Sequence, residues 1–152
     1  RLESNALRLS AIAHIIQGIR HLDPDARQNL TTKIAMRGST PTVDLMMTDE
    51  QVRSLVRNDI AIGAHTVNHP ILASIGLEVA RREILDSKTY LENLVQLPVD
   101  VFAYPNGRPD TDYRAEHREL VSDMGFKVAV STHWGVGTPQ SDKFQLPRFT
   151  PW

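Results

Sequence analysis

The chain has 152 residues, 41% of them hydrophobic and 23% charged, a balance that suits a globular protein of about one domain rather than a disordered segment. The formal net charge is −1 with no Lys or Arg stripe, which argues against a nucleic-acid partner. No apolar run reaches the ~20 residues needed to span a bilayer, and the absence of cysteine excludes disulfides, thiolate metal sites and cysteine nucleophiles. The first residue is Arg1 rather than Met, so the lack of a signal peptide leaves the compartment open.

Ile12, Ile15, Ile16 and Ile19 recur at helical spacing and predict an amphipathic helix over about residues 4–21. Asp23 as N-cap, Pro24 at the first helical position and Gly38 as a stop delimit a second helix, from Pro24 to about Met36. Both read as core-packing elements without chemistry. Residues 38–47 form a polar linker ending in Leu45-Met46-Met47. Thr48, with Gln51 three positions on, is a capping box that opens a short helix to about Asn58. Ile60-Ala61-Ile62-Gly63 then reads as a short strand that stops at His65.

A long helix follows from about Leu77 to Gln96, with Ala80, Ile84, Leu91 and Leu94 on one face and Pro98 ending it. Val99 to Tyr104 predicts a buried strand, broken by the Pro105-Asn106-Gly107 turn. Asp112 to Met124 is predicted helical, with Asp110 and Asp112 at its start and Gly125 as its stop. Phe126 to Ser131 is the next strand, residues 135–142 a loop, and Phe144 to Phe149 a last strand carrying Pro147. Strands alternating with helices indicate parallel βαβ units, an α/β fold whose chemistry sits at the C-terminal strand ends.

Two segments stand at such ends. His65 and His69 lie four apart in Gly63-Ala64-His65-Thr66-Val67-Asn68-His69-Pro70, and a pair of neutral imidazoles is a sensible grip for a divalent cation. Pro70 disfavours helix at His69, and the glutamate of His-Glu-x-x-His metalloproteases is missing. By itself the spacing also suits two ordinary surface histidines. Phe102-Ala103-Tyr104-Pro105-Asn106-Gly107 could aim backbone N–H groups at a ligand, or could be a plain strand-to-helix turn.

In this order the two segments resemble a known family. His65 to Pro70 is similar to the second motif of the polysaccharide deacetylases (carbohydrate esterase family 4, which includes the chitooligosaccharide deacetylases), where His-Ser/Thr-x-x-His supplies two metal ligands. Phe102 to Gly107 resembles the family's third motif in its Tyr-Pro-x-Gly variant. Asp123-Met124-Gly125-Phe126 and Leu146-Pro147-Arg148 extend the likeness over about residues 45–149. The resemblance implies a distorted (β/α) barrel with fewer strands than eight. It also implies hydrolysis of N-acetyl groups on amino-sugar polysaccharides or oligosaccharides, with zinc or a similar metal held by one Asp and two His. In that chemistry the metal polarises the acetyl carbonyl and activates a water, an aspartate takes the proton, and a backbone N–H holds the oxyanion. His65 and His69 become the metal ligands and Asn106 the N–H donor.

The departures are equally specific. The family's Thr-Phe-Asp-Asp-Gly motif, source of the base and third ligand, is absent. Asp44 and Asp49-Glu50 are the nearest acids before His65, and Asp49-Glu50 reads as part of a helix cap. The expectation is therefore a partial barrel of the polysaccharide deacetylase type with its first strands missing. It is a single domain over 1–152, with 1–44 a helical insertion and linker and 45–152 the motif-bearing part, incomplete and inactive alone. A non-catalytic metal- or carbohydrate-binding module is the alternative, and a purely structural domain the third reading. Ala103 replaces the arginine of the standard third motif. His133, in Ser131-Thr132-His133-Trp134-Gly135, is the one candidate general acid, against an incidental loop histidine. Trp134 reads as packing under its loop rather than stacking on a sugar. His14, His21 and His117 are expected to face solvent. Strands left without neighbours would expose unpaired backbone N–H and C=O groups and apolar side chains, so self-association is expected.

Overall fold

The computed structural model describes residues 4–38 and 46–149. The chain separates into two compact units, Arg1–Asp44 and Leu45–Trp152. The linker expected over 38–47, Asp44 included, falls largely outside the described residues.

In the first unit, helix α1 spans Asn5–Ile19 and starts where Ser4 Oγ accepts the Leu7 N–H at 3.2 Å. Helix α2 spans Pro24–Ala35, with Asp23 Oδ1 accepting the Ala26 N–H at 3.0 Å and Pro24 at its first position. Asp25 in the first turn and Lys33 in the last complement the helix dipole. Neither helix buries a residue, and Ile12 and Ile16 remain more than half exposed. The expectation that both pack a core is therefore corrected. Spacing fixes which residues share a face; only a facing surface can bury them.

In the second unit, helix α3 spans Asp49–Arg57. Its capping box is complete: Gln51 N–H donates to Thr48 Oγ1 at 3.3 Å, and Thr48 N–H donates to Gln51 Oε1 at 2.8 Å. Glu50 pairs with Arg57 at 2.5 Å, and Asp49 accepts the Tyr90 hydroxyl at 2.7 Å. Helix α4 spans Leu77–Val95 and ends on Gln96 in the left-handed region, with Ala80, Ile84 and Leu94 buried. Strand β1 (Val101–Ala103) and strand β2 (Val128–Val130) flank helix α5 (Ala115–Asp123). The strands pair in parallel, Phe102 opposite Ala129. Single parallel bridges add Ala64 beside Phe102 and Leu146 beside Val130.

Three expectations about elements change. The strand read over Ile60–Gly63 contracts to the bridge at Ala64, because Asp59 takes a left-handed turn and Ile60 N–H still bonds back to Leu55 O. The strand read over Phe144–Phe149 contracts to Leu146, because Pro147 has no N–H to continue a ladder. The helix expected from Asp112 begins at Ala115, because Asp112 Oδ2 accepts the Arg108 N–H at 2.9 Å and closes a turn instead. Among the described residues the sheet is thus two strands with a bridge on either side.

The core is aromatic. Phe102 sits at right angles to Tyr104, their centroids 5.2 Å apart, and leans on Phe126 at 5.4 Å. Tyr104 stacks on Tyr113 at 3.7 Å, and its hydroxyl donates to Phe144 O at 2.9 Å. Burial raises the Tyr113 hydroxyl to about 12, with Ser131 and Arg118 opposing the shift. His117, expected at the surface, is only 2% exposed. Its Nδ1 accepts the Arg114 N–H at 3.0 Å, filling one of the open donors at the start of α5. Burial holds this imidazole below its ordinary range. Among the described residues, no helix is long and apolar enough to cross a membrane.

Candidate active site

The bridging residue Ala64 and the ends of β1 and β2 bring three loops to the same end of the sheet. They begin at His65, Tyr104 and Ser131. Ala64 is locked by two backbone bonds of 2.9 Å, from its N–H to Val101 O and from Ala103 N–H to its own carbonyl. His65 follows at once, with Nδ1 2.7 Å from Ala103 O. A carbonyl only accepts, so Nδ1 is the donor, and in the neutral tautomer that this bond selects Nε2 is the nitrogen with a lone pair. Metal-ligating histidines commonly have this outer partner, which fixes ring and tautomer.

The loop from His65 to His69 is tight. Thr66 and His69 both take left-handed φ, 63° and 53°, and Thr66 Oγ1 accepts the His69 N–H at 3.1 Å. Both rings are exposed, 4.8 Å apart centre to centre and inclined at 74°. The outer side of the loop is held from α4. Glu83 Oε2 accepts the Val67 and Asn68 N–H groups at 2.9 and 2.8 Å, and Oε1 accepts Asn68 Nδ2 at 2.7 Å. Sequence reasoning passed over Glu83. The available signal was a carboxylate between Ala80 and Ile84, inside the stripe predicted to be apolar.

Asn106 and Gly107 also sit at positive φ, 56° and 75°. A Cβ on Gly107 would lie 2.9 Å from Tyr104 O and 3.0 Å from Thr132 Cγ2, so glycine is required by conformation and by space. Asn106 O accepts the Thr132 hydroxyl at 2.7 Å and Gly107 O accepts the Thr132 N–H at 2.8 Å, tying this loop to the one carrying His133. His133 is exposed; its N–H donates to Ser131 Oγ at 3.1 Å and its carbonyl accepts the Arg148 N–H at 2.9 Å. Trp134 does not pack under its loop: it is 63% exposed, edge-on to Phe149 at 4.8 Å. The structure therefore brings His65 and His69 together and joins the Asn106 and His133 loops to the same end of the sheet through Thr132. Among the described residues no group of three or more His, Asp or Glu could hold a metal, so no carboxylate or further histidine joins the pair.

The fold is thus α/β, a parallel βαβ unit that carries a histidine pair and a Tyr-Pro-Asn-Gly turn at its strand ends. The chain belongs to the polysaccharide deacetylase family, whose model matches residues 26–129. The match begins earlier than residue 45, taking in most of α2, and stops before Leu146-Pro147-Arg148. The chain is 26% identical over 102 residues to YxkH of Bacillus subtilis (strain 168), a protein named provisionally as a polysaccharide deacetylase, covering 67% of this chain and 35% of that one. It thus spans about a third of that relative's length. Among solved structures it is similar to the Streptococcus pyogenes deacetylase PplD in complex with acetate. There the identity is 27% and the TM-score 0.63, with 67% of this chain and 43% of PplD covered. The BpsB deacetylase domain from Bordetella bronchiseptica, 15% identical with a TM-score of 0.61 over 72% of this chain and 52% of that one, agrees in fold alone.

Proposed function

We propose that this chain carries the histidine pair of a metal-dependent hydrolase that removes N-acetyl groups from amino-sugar polysaccharides or oligosaccharides. The observation that supports it best is the 4.8 Å pair of His65 and His69, with His65 Nδ1 committed to Ala103 O. Neutral imidazole nitrogens suit zinc, which is the cation we assign to them. Such an ion, when bound, supplies Lewis-acid polarisation of the acetyl carbonyl. The backbone N–H of Asn106 is assigned to the developing oxyanion and His133 to protonation of the leaving amine. The order Ala64, β1, β2, Leu146, all parallel, supports an arc of a distorted (β/α) barrel.

This chemistry also needs a base and a third ligand. Among the described residues Asp49 and Glu50 are engaged with Tyr90 and Arg57, and with no Thr-Phe-Asp-Asp-Gly motif in the sequence we expect the chain alone to be inactive. Because the described residues bring no carboxylate to the pair, a non-catalytic metal- or glycan-binding module remains the second reading. The test is acetate release from an N-acetylglucosamine oligomer by the whole gene product supplied with zinc. Release that falls to background in His65→Ala and in His69→Ala supports hydrolysis. Zinc binding without any release favours the second reading, and release undiminished by either substitution contradicts the site. We also propose self-association through the sheet edges at Ala64 and Leu146; a monomer of 17.1 kDa by light scattering would contradict it.

A further inference from the structure

Glu83 is a carboxylate only 9% exposed, set in the buried stripe of α4 beside Ile84. Such a group is costly to bury unless its oxygens are satisfied. Among the described residues the ion pairs include none to Glu83. Its partners are three N–H donors at 2.7–2.9 Å, all from Val67 and Asn68, the two residues midway between the histidines. The same loop holds two non-glycine residues at positive φ, Thr66 and His69, a conformation that persists only where the surroundings impose it. Helix α4 is packed on the core through Ala80 and Ile84, so it is a firm base for such a hold.

We infer that Glu83 is the positioning residue that fixes the spacing and direction of the His65–His69 pair, acting through the Val67 and Asn68 amides rather than as a ligand. Both of its oxygens already accept N–H donors from the loop, so its carboxylate points away from a ligand role. The inference rests on the metal reading of the pair. Loss of the clamp lets the loop relax and separates the imidazoles, and outer-sphere partners of this kind typically change metal affinity about 10–100-fold.

The test compares the chain with its Glu83→Ala, Glu83→Gln and Ile84→Ala variants. Zinc affinity is measured by competition with a chromogenic chelator, and amide exchange by NMR without metal. Glu83→Ala is expected to weaken zinc binding at least about 10-fold and to speed exchange at Val67 and Asn68 while core amides stay protected. Ile84→Ala, a packing change one residue away, is expected to lower Tm and leave zinc affinity unchanged. Combining Glu83→Gln with Asn68→Asp reverses donor and acceptor across the side-chain pair and should restore affinity towards that of the starting chain. If Glu83→Ala does not fold, Glu83→Gln carries the test, with weaker binding that Asn68→Asp restores. Unchanged zinc affinity and unchanged exchange in the Glu83 variants would overturn the inference. If the unsubstituted chain binds no zinc, the metal reading fails on its own, and exchange at Val67 and Asn68 alone decides whether Glu83 holds the loop.

Discussion

The two units use the same local devices and reach opposite degrees of burial. Helices α1 and α2 have a serine cap, an aspartate cap and a proline at the first turn, yet bury nothing. Helix α4 has a glycine at its N-cap and no side-chain cap, yet buries Ala80, Glu83, Ile84, Ser87 and Leu94. The difference teaches that caps set where a helix begins, whereas burial needs a facing surface, here the core around Phe102 and Val121 together with α3 and α5. Stability of the second unit should therefore lie in Phe102 and its neighbours, and the isoleucine face of α1 should matter little.

The largest effect should separate these regions outright. Phe102→Ala removes a fully buried ring and should cost about 3–5 kcal/mol by chemical denaturation. Next comes pH. His117 is buried neutral with its pKa lowered from 6.5, chiefly by burial, with Arg114 adding to the shift and Glu116 and Leu72 opposing it. The unfolded chain then binds the proton more readily. Stability is complete above pH 6.5 and falls as pH drops from 6.5 towards the lower folded pKa, by at most about 1.4 kcal/mol per pH unit. His117→Gln should flatten that part of the pH profile; an unchanged slope would assign it to other groups. Thr48→Ala breaks the capping box of α3 and should cost about 1 kcal/mol. Smallest of all, Ile12→Ala on α1 should stay within about 0.5 kcal/mol; a core-sized loss there would erase the contrast between the units.

The sequence made the local parts legible. The capping box at Thr48, the extent of α4 and the turn at Asn106-Gly107 follow from residues within a few positions of one another. So does the pairing of His65 with His69. What was not legible depends on distant partners. Strand length was set by a turn at Asp59 and by the missing N–H of Pro147. Asp112 closes a turn to Arg108, the helix starts at Ala115, and His117 lies buried with Nδ1 accepting the Arg114 N–H. Glu83 reaches its partners across 15 and 16 residues, and helical periodicity alone marks it only as a charge on the wrong face.

The claim at the centre is that His65 and His69 share a divalent cation, and zinc titration calorimetry on this chain tests it most directly. The account predicts weak binding to one site, weak because the described residues supply two ligands rather than three. That heat should vanish in His65→Ala and in His69→Ala while far-UV circular dichroism is unchanged. A variant lacking both histidines that binds zinc as well as the starting chain would contradict it.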